Sequence, residues 1–313
     1  MQIVLSGALP EPPYASKLLP ELEKAAPTLV HWLNQSQSTL QVLDSNQERC
    51  TALEYWQLQQ AGFQPKPAQH SSAGLGVLWM QSQQNLTLAP EESVWLGELV
   101  HISPSRDGAA LIPASDLAIT PEESEALFSS SVAWFEGTGF AAEYMNTHYW
   151  RIQPPEDFHA RTVSAALVSQ SAVNHWWEQD AETRPWRRLV NELQMFWFNH
   201  PVNQQRSAEG KLPINSLWLQ GGGSAAQFTN AHAAPYQLFT DLEDALQQQD
   251  WSRWLEAWRL LEKNCFAPLQ QQPPSIVLCG QSRLLSVNPR PAGFLRKLFA
   301  SKQNDWKKQW SSQ

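Results

Sequence analysis

Apolar residues follow two rhythms along this chain. Short continuous runs predict buried strands, and stripes recurring every three or four residues predict helices. The first run, Ile3-Val4-Leu5, closes at Gly7. After a turn at Pro10, Pro12 and Pro13, Leu18, Leu19 and Leu22 predict a helix. Pro27 opens a second one carrying Leu29, Val30 and Leu33, because proline is tolerated in a first turn but not in a helix interior. Thr51 to Gly62 predicts a third helix with Gly62 at its C-terminal cap. Residues 64–74 are polar and proline-containing and predict a loop.

Val94 to Ile102 and Ala109 to Ile112 predict strands joined by Ser105-Arg106-Asp107-Gly108, since Asp-Gly is a strong hairpin turn. Thr120-Pro121-Glu122-Glu123 has the form of a capping box with proline at the first helical position. The helix it starts carries Leu127, Phe128, Trp134 and Phe135. Phe140–Tyr144 and Tyr149–Ile152 predict a second hairpin. Trp186, Leu189, Val190, Leu193 and Trp197 share one helical face, with Thr183 as the expected N-cap and Pro201 as the stop. A short helix is expected from Arg206 to Lys211, and a strand at Leu217-Trp218-Leu219 running into a loop at Gly221-Gly222-Gly223. Asp250 is placed to cap a helix striped with Trp251, Trp254, Leu255, Trp258 and Leu261, and Ile276 to Cys279 predicts a last strand. No internal repeat is visible. The expected architecture is one α/β unit over 1–290, a mixed sheet flanked by helices, followed by a basic aromatic tail at 291–313.

Composition sharpens this picture. The hydrophobic share of 42% supports a sizeable core. Charged residues make up 17%, below the usual quarter or so. Sixteen tryptophans imply an aromatic core or an adhesive face. A net charge of -8 argues against a general nucleic-acid binder. No basic-then-apolar leader and no apolar run of about 18 residues is present. Cys50, Cys265 and Cys279 are odd in number and far apart, which suggests neither a zinc knuckle nor a disulfide framework. A cytoplasmic protein with reduced thiols is expected. From Arg290 onward six basic residues face one acid, Asp305. Phe294, Leu295, Leu298, Phe299, Trp306 and Trp310 give this tail an apolar face, to be docked on the acidic body or held for an anionic surface or partner.

The candidate chemistry centres on His200 to Gly223. No two of the eight histidines stand at i, i+4, so a zincin-like pair is excluded. Ser6-Gly7 lacks a nucleophile elbow. A glycine loop after a strand can cradle an anion with its N–H groups. The candidate anion site therefore comprises His200, Asn203, Arg206, Asn215, Gly221, Gly222 and Gly223, with Arg206 as the forked partner for phosphate or carboxylate. The competing reading is purely structural: Asn203 and Asn215 bind the corner's backbone, and Arg206 pairs with Glu192 or Glu209.

The same block resembles the archaeal-type, cofactor-independent phosphoglycerate mutases. The shared pattern is His200-Pro201-Val202-Asn203, Arg206, Gly210, Pro213-Ile214-Asn215 and Leu217-Trp218-Leu219 before Gly221, with Ile214 replacing the family's alanine. A proteobacterial group of regulatory, RpfE-type mutase-like proteins is more similar still. It shares Ala8-Leu9-Pro10, Leu99-Val100-His101-Ile102 before Arg106-Asp107, Asn191, Glu192, Gln194 and Met195, and Pro213 to Gly223 with Ile214 and Gln220 as changes. The likeness covers most of 1–223 and fades beyond.

The resemblance implies an alkaline-phosphatase-superfamily scaffold that holds two divalent metals with Asp and His ligands and uses a Ser or Thr nucleophile. This chain departs from that pattern. Where the mutases place an Asp-Gly metal motif, the first strand ends in Ser6-Gly7-Ala8, and after Gly223 a single histidine, His232, remains. The expectation is a non-catalytic regulatory or ligand-binding protein without cofactor, metal or catalytic residues, whose partner is a small anion or a protein. The alternatives are a metal-dependent phosphoryl-transfer enzyme with an altered site, and an interaction module using its Trp-rich face and basic tail.

Overall fold

The computed structural model describes residues 2–83, 88–106, 108–177, 179–230, 235–269, 273–289 and 306–312. Asp107, His232 and the 290–305 part of the tail lie outside them. The strands are β1 (Gln2–Leu9), β2 (Ser36–Val42), β3 (Ser93–Ser105), β4 (Gly108–Ile112), β5 (Ala141–Tyr144), β6 (Tyr149–Gln153), β7 (Ser216–Ser224), β8 (Tyr236–Phe239), β9 (Ser275–Gly280) and β10 (Arg283–Pro289). The chain divides into two compact units, Met1–Ser45 with Ala233–Gln313, and Asn46–His232. Each holds a five-stranded sheet with helices packed against it, a mixed α/β architecture.

In the first unit the strand order is β2-β10-β9-β1-β8. β1 runs parallel to β8 and β9, and β10 runs antiparallel to β9 and β2. β1, flanked by β9 and β8, continues past the expected stop at Gly7 to Leu9, with an irregular register between Leu5 and Leu9. Gly7 sits at φ 73°, and a Cβ there would lie 2.5 Å from the Glu243 amide nitrogen, so only glycine fits. Helix Pro27–Gln35 starts on proline, as the sequence predicts, and helix Pro12–Ala25 also starts on proline, at residues expected to form a turn. Asp250 accepts from the Arg253 N–H and caps Trp251–Leu261. Trp254 and Trp258 of that helix are fully buried beside Leu22 and Leu29.

The described end of the tail belongs to the same core. Helix Trp306–Ser311 buries Trp306 and Trp310. Their indole N–H groups donate to Asn34 Oδ1 at 2.8 Å and to the Ala15 carbonyl at 3.1 Å. The buried Arg283 donates to the carbonyls of Pro10, Trp310 and Ser312, tying the chain end to the sheet.

In the second unit the long β3 pairs with β7 along one edge. Along its other edge it pairs with β6 over its first half and β4 over its second, and β5 extends β6. Both expected hairpins form. Helix Pro121–Ser131 carries the expected capping box: Glu123 N–H donates to Thr120 Oγ1, and Thr120 N–H donates back to Glu123. The helix stops at Ser131 and leaves Trp134 partly exposed. Helix Arg184–Phe198 buries the predicted stripe of Trp186, Leu189, Val190, Leu193 and Trp197. Thr183 does not cap it; its hydroxyl donates to Asp180 Oδ1 at 2.6 Å. Edge-to-face ring contacts, such as Trp150 on Trp197 at 5.7 Å, join this helix to the sheet. Most of the tryptophan excess is therefore core.

Candidate functional site

The corner from His200 to Gly223 is tighter than the sequence suggests. Helix Arg184–Phe198 ends, and Pro201 at once opens a new helix, Pro201–Ala208. Val202 and Asn203 are therefore helical rather than a turn, and the helix ends before Lys211. His200 caps it: Nδ1 accepts from the Val202 N–H at 3.2 Å, and Nε2 lies 3.0 Å from Ser130 Oγ. The accepting Nδ1 places the ring proton on Nε2. Burial holds its pKa below the usual value, in keeping with a neutral imidazole.

Asn203 stitches the two ends of the corner. Its Nδ2 donates to the carbonyls of Trp197 and Ile214 at 2.9 and 2.7 Å, and its Oδ1 accepts from the Ile214 N–H at 2.8 Å. Asn215 imitates a strand partner for Ile102, accepting from its N–H and donating to its carbonyl, both at 2.8 Å. His101 adds a bond from Nδ1 to the Pro213 carbonyl at 2.8 Å.

Arg206 is 1% exposed. Nε donates to the Leu212 carbonyl at 2.8 Å, Nη2 to the Leu117 carbonyl at 2.6 Å, and Nη1 to Glu123 Oε2 at 2.6 Å. All three nitrogens of the fork are engaged. Glu123, which closes the capping box of helix Pro121–Ser131, thus neutralises Arg206 as well. Neither Glu192 nor Glu209, the partners expected from sequence, takes this role; Glu192 pairs with Arg188, and Glu209 with Lys211.

The glycines correct the remaining part of the expected pocket. Gly221, Gly222 and Gly223 lie within β7, which continues to Ser224. Val94 pairs with Gly223 and Trp95 with Gly221, so Gly222 is the extra residue of a β-bulge. Gly221 and Gly222 have φ of 95° and 107°. A Cβ on Gly221 would stand 2.3 Å from the Val94 carbonyl oxygen. These residues form a close-packed bulge and not a loop. With the Arg206 fork spent elsewhere, the seven residues do not assemble the anion site expected from sequence.

The implied metals fare no better with the residues present. Ser6, Gly7 and Ala8 lie inside β1, where the resemblance calls for an Asp-Gly pair. Among the described residues no three His, Cys, Asp or Glu side chains converge on a metal-sized site. The described residues do not fit a two-metal centre.

Sequence reasoning missed two further features of the second unit. The first is Glu98 in the middle of β3, 5% exposed. It faces Tyr149 of β6 and Trp218 of β7 across the sheet. Its oxygens accept from the Ala114 N–H at 3.0 Å and the Gln220 amide at 3.3 Å, and the Tyr149 hydroxyl bonds to it. Burial raises its pKa to about 7, reinforced by the nearby charge of Glu54. Burial likewise raises Glu54, against bonds from Thr51 and Ser164. A lone acid within an apolar strand was the available signal.

The second is a cleft beside β7, holding about 480 Å³ of space including solvent at its mouth. Trp176, Trp177, Trp186 and Trp218 line it together with Arg161 and Arg187. Trp177 leans on Trp218 with ring centres 5.5 Å apart. Arg187 Nη2 donates to the Asp180 carbonyl at 2.7 Å, while its Nε is shielded from solvent without a hydrogen bond. The adjacent Trp176-Trp177 pair was the signal in the sequence.

Comparison with known proteins gives one relative by sequence. The chain is 25% identical over 149 residues to a probable 2,3-bisphosphoglycerate-independent phosphoglycerate mutase of Geobacter sulfurreducens, covering 43% of this chain and 34% of the relative. The two are distantly homologous. The match spans about a third of the mutase's length. Among solved structures, the chain is similar to the cofactor-independent phosphoglycerate mutase of Thermoplasma acidophilum, with a TM-score of 0.34 and 14% identity over 91% of this chain and 88% of that one. It is also similar to the PH0037 protein of Pyrococcus horikoshii, with a TM-score of 0.43 and 13% identity over 92% and 86%. No family model matches the chain.

Proposed function

We propose that the protein is a non-catalytic, regulatory or ligand-binding protein on a mutase-like scaffold, of the RpfE type. The observation that carries this reading is the state of the corner. His200, Asn203, Arg206 and Asn215, the residues shared with the mutases, are committed to bonds within the unit. Ser6, Gly7 and Ala8, inside β1, offer no carboxylate to replace the Asp-Gly pair. The cleft beside β7 supports the ligand-binding half of the reading, because it combines apolar ring faces with two cations. Free thiols at Cys50, Cys265 and Cys279 suit a reducing, cytoplasmic setting.

The test is direct assay of the purified full chain for phosphoglycerate mutase and phosphomonoesterase turnover, with manganese, zinc or magnesium supplied. The expected result is no turnover above a heat-denatured control. Metal-dependent turnover would refute the reading and favour a surviving phosphoryl-transfer enzyme.

A further inference from the structure

We infer that the cleft beside β7 binds a small molecule with a flat aromatic body and an anionic group, a carboxylate or a phosphate. The inference rests on the reading that this protein binds a ligand, and it names the class. The partly exposed indoles of Trp176 and Trp177 offer stacking surfaces to a planar ring, with the buried Trp218 in contact with Trp177.

The chemistry of the wall selects the charge. Among the described residues the wall holds two arginines and no Asp, Glu, Asn or Gln. A cationic ligand would find rings but no counter-charge, and a sugar would find none of the carboxylates or amides that hold its hydroxyls. Most neutral donors of the wall are already committed. Thr162 Oγ1 donates to the Gly221 carbonyl at 2.8 Å, and Thr183 Oγ1 donates to Asp180. Trp176 Nε1 donates to Ser171 Oγ at 2.7 Å, and Trp218 Nε1 to the Val163 carbonyl at 2.8 Å.

Arg187 differs from these groups. One arm of its fork is fixed on Asp180, which orients the guanidinium, and Nε is a donor with no acceptor. A buried donor left without a partner is costly. An anionic oxygen entering the cleft supplies that partner with a charge-assisted bond and meets a planar fork suited to carboxylate or phosphate.

The experiment is calorimetric titration of the full chain with three probes that share a ring and differ in charge: 2-naphthoate, 2-naphthylmethanol and 2-naphthylmethylammonium. Naphthoate is expected to saturate at low millimolar concentration or below, about tenfold tighter than the alcohol, with the ammonium weakest. Arg187→Met should bring naphthoate down to the level of the alcohol, and Trp177→Phe should weaken all three. Arg188→Met, on the exposed neighbour paired with Glu192, should change nothing. If Arg187→Met does not fold, Arg187→Lys keeps the charge without the fork and should retain only part of the naphthoate advantage. Equal binding of the three probes, no saturable binding, or a naphthoate advantage unchanged in the Arg187 variants would overturn the inference. Phosphoglycerate turnover with naphthoate binding intact would refute the non-catalytic reading and leave the cleft standing; the opposite pair of results would do the reverse.

Discussion

Arg206 and Arg187 occupy consecutive helices of the same unit and do opposite things. Arg206 is buried, with Nε, Nη1 and Nη2 bonded to Leu212, Glu123 and Leu117. Arg187 is half-buried at a cleft, with one arm on Asp180 and its Nε unbonded. The residue that belongs to the mutase-like motif has become structural, and the one outside the motif faces the available space. A shared motif therefore locates a shared fold element here, while donor capacity left unused locates the binding surface.

Stability separates the two most strongly. Arg206→Met strips a countercharge from Glu123 and two buried carbonyls of their donors. It should destabilise the second unit by about 3–5 kcal/mol, read as a fall in the urea midpoint. Arg187→Met should cost no more than about 1 kcal/mol, and comparable losses for both would erase the distinction.

Glu98 sharpens the comparison, being buried and hydrogen-bonded like Arg206 but without a countercharge. Its carboxyl titrates near 7 in the folded chain against an ordinary value of 4.5. The folded state thus holds the proton more tightly than the unfolded state. The stabilisation is fully present below about pH 4.5 and is lost as pH rises through about 7. Glu98→Gln should remove this dependence and stabilise the protein at pH 8 by on the order of 3 kcal/mol at most. A wild-type and variant pair with parallel melting-temperature profiles from pH 5 to 8 would show that Glu98 does not titrate in this window.

Asn215 gives a smaller effect than Arg206. Asn215→Ala leaves the Ile102 N–H and carbonyl without their side-chain partner and should cost about 1–3 kcal/mol. Amide exchange at Ile102 should accelerate in the variant; unchanged protection would mean that the strand end is held by other bonds.

Local signals in the sequence were readable. The Thr120–Glu123 box, the helix opened by Pro27, the stripe from Trp186 to Trp197 and the cap at Asp250 depend on neighbours within one or two turns, and each stands where its pattern places it. What escaped depends on distant partners. β2 is mostly Ser, Gln and Thr, with Leu40 and Val42 as its apolar residues, and it becomes a strand by pairing with β10. The three glycines look like a loop until β3 is laid beside them and the bulge becomes visible. Arg206 is bonded to Glu123, which lies far back in the chain beyond any local rule. The corner does bring His200, Asn203, Arg206 and Asn215 into one structural unit, and their hydrogen bonds go to backbone, to Ser130 and to Glu123.

The central claim, that the mutase-like corner is structural and not an anion site, is tested most directly by thermal unfolding with and without phosphate. Wild-type and Arg206→Met protein would be melted in about 20 mM inorganic phosphate and in chloride of matched ionic strength, because a bound anion must raise the melting temperature by mass action. The account predicts that Arg206→Met melts several degrees lower in both buffers and that any shift caused by phosphate is the same in both proteins. A phosphate-dependent rise in wild type that disappears in a folded Arg206→Met variant would contradict it.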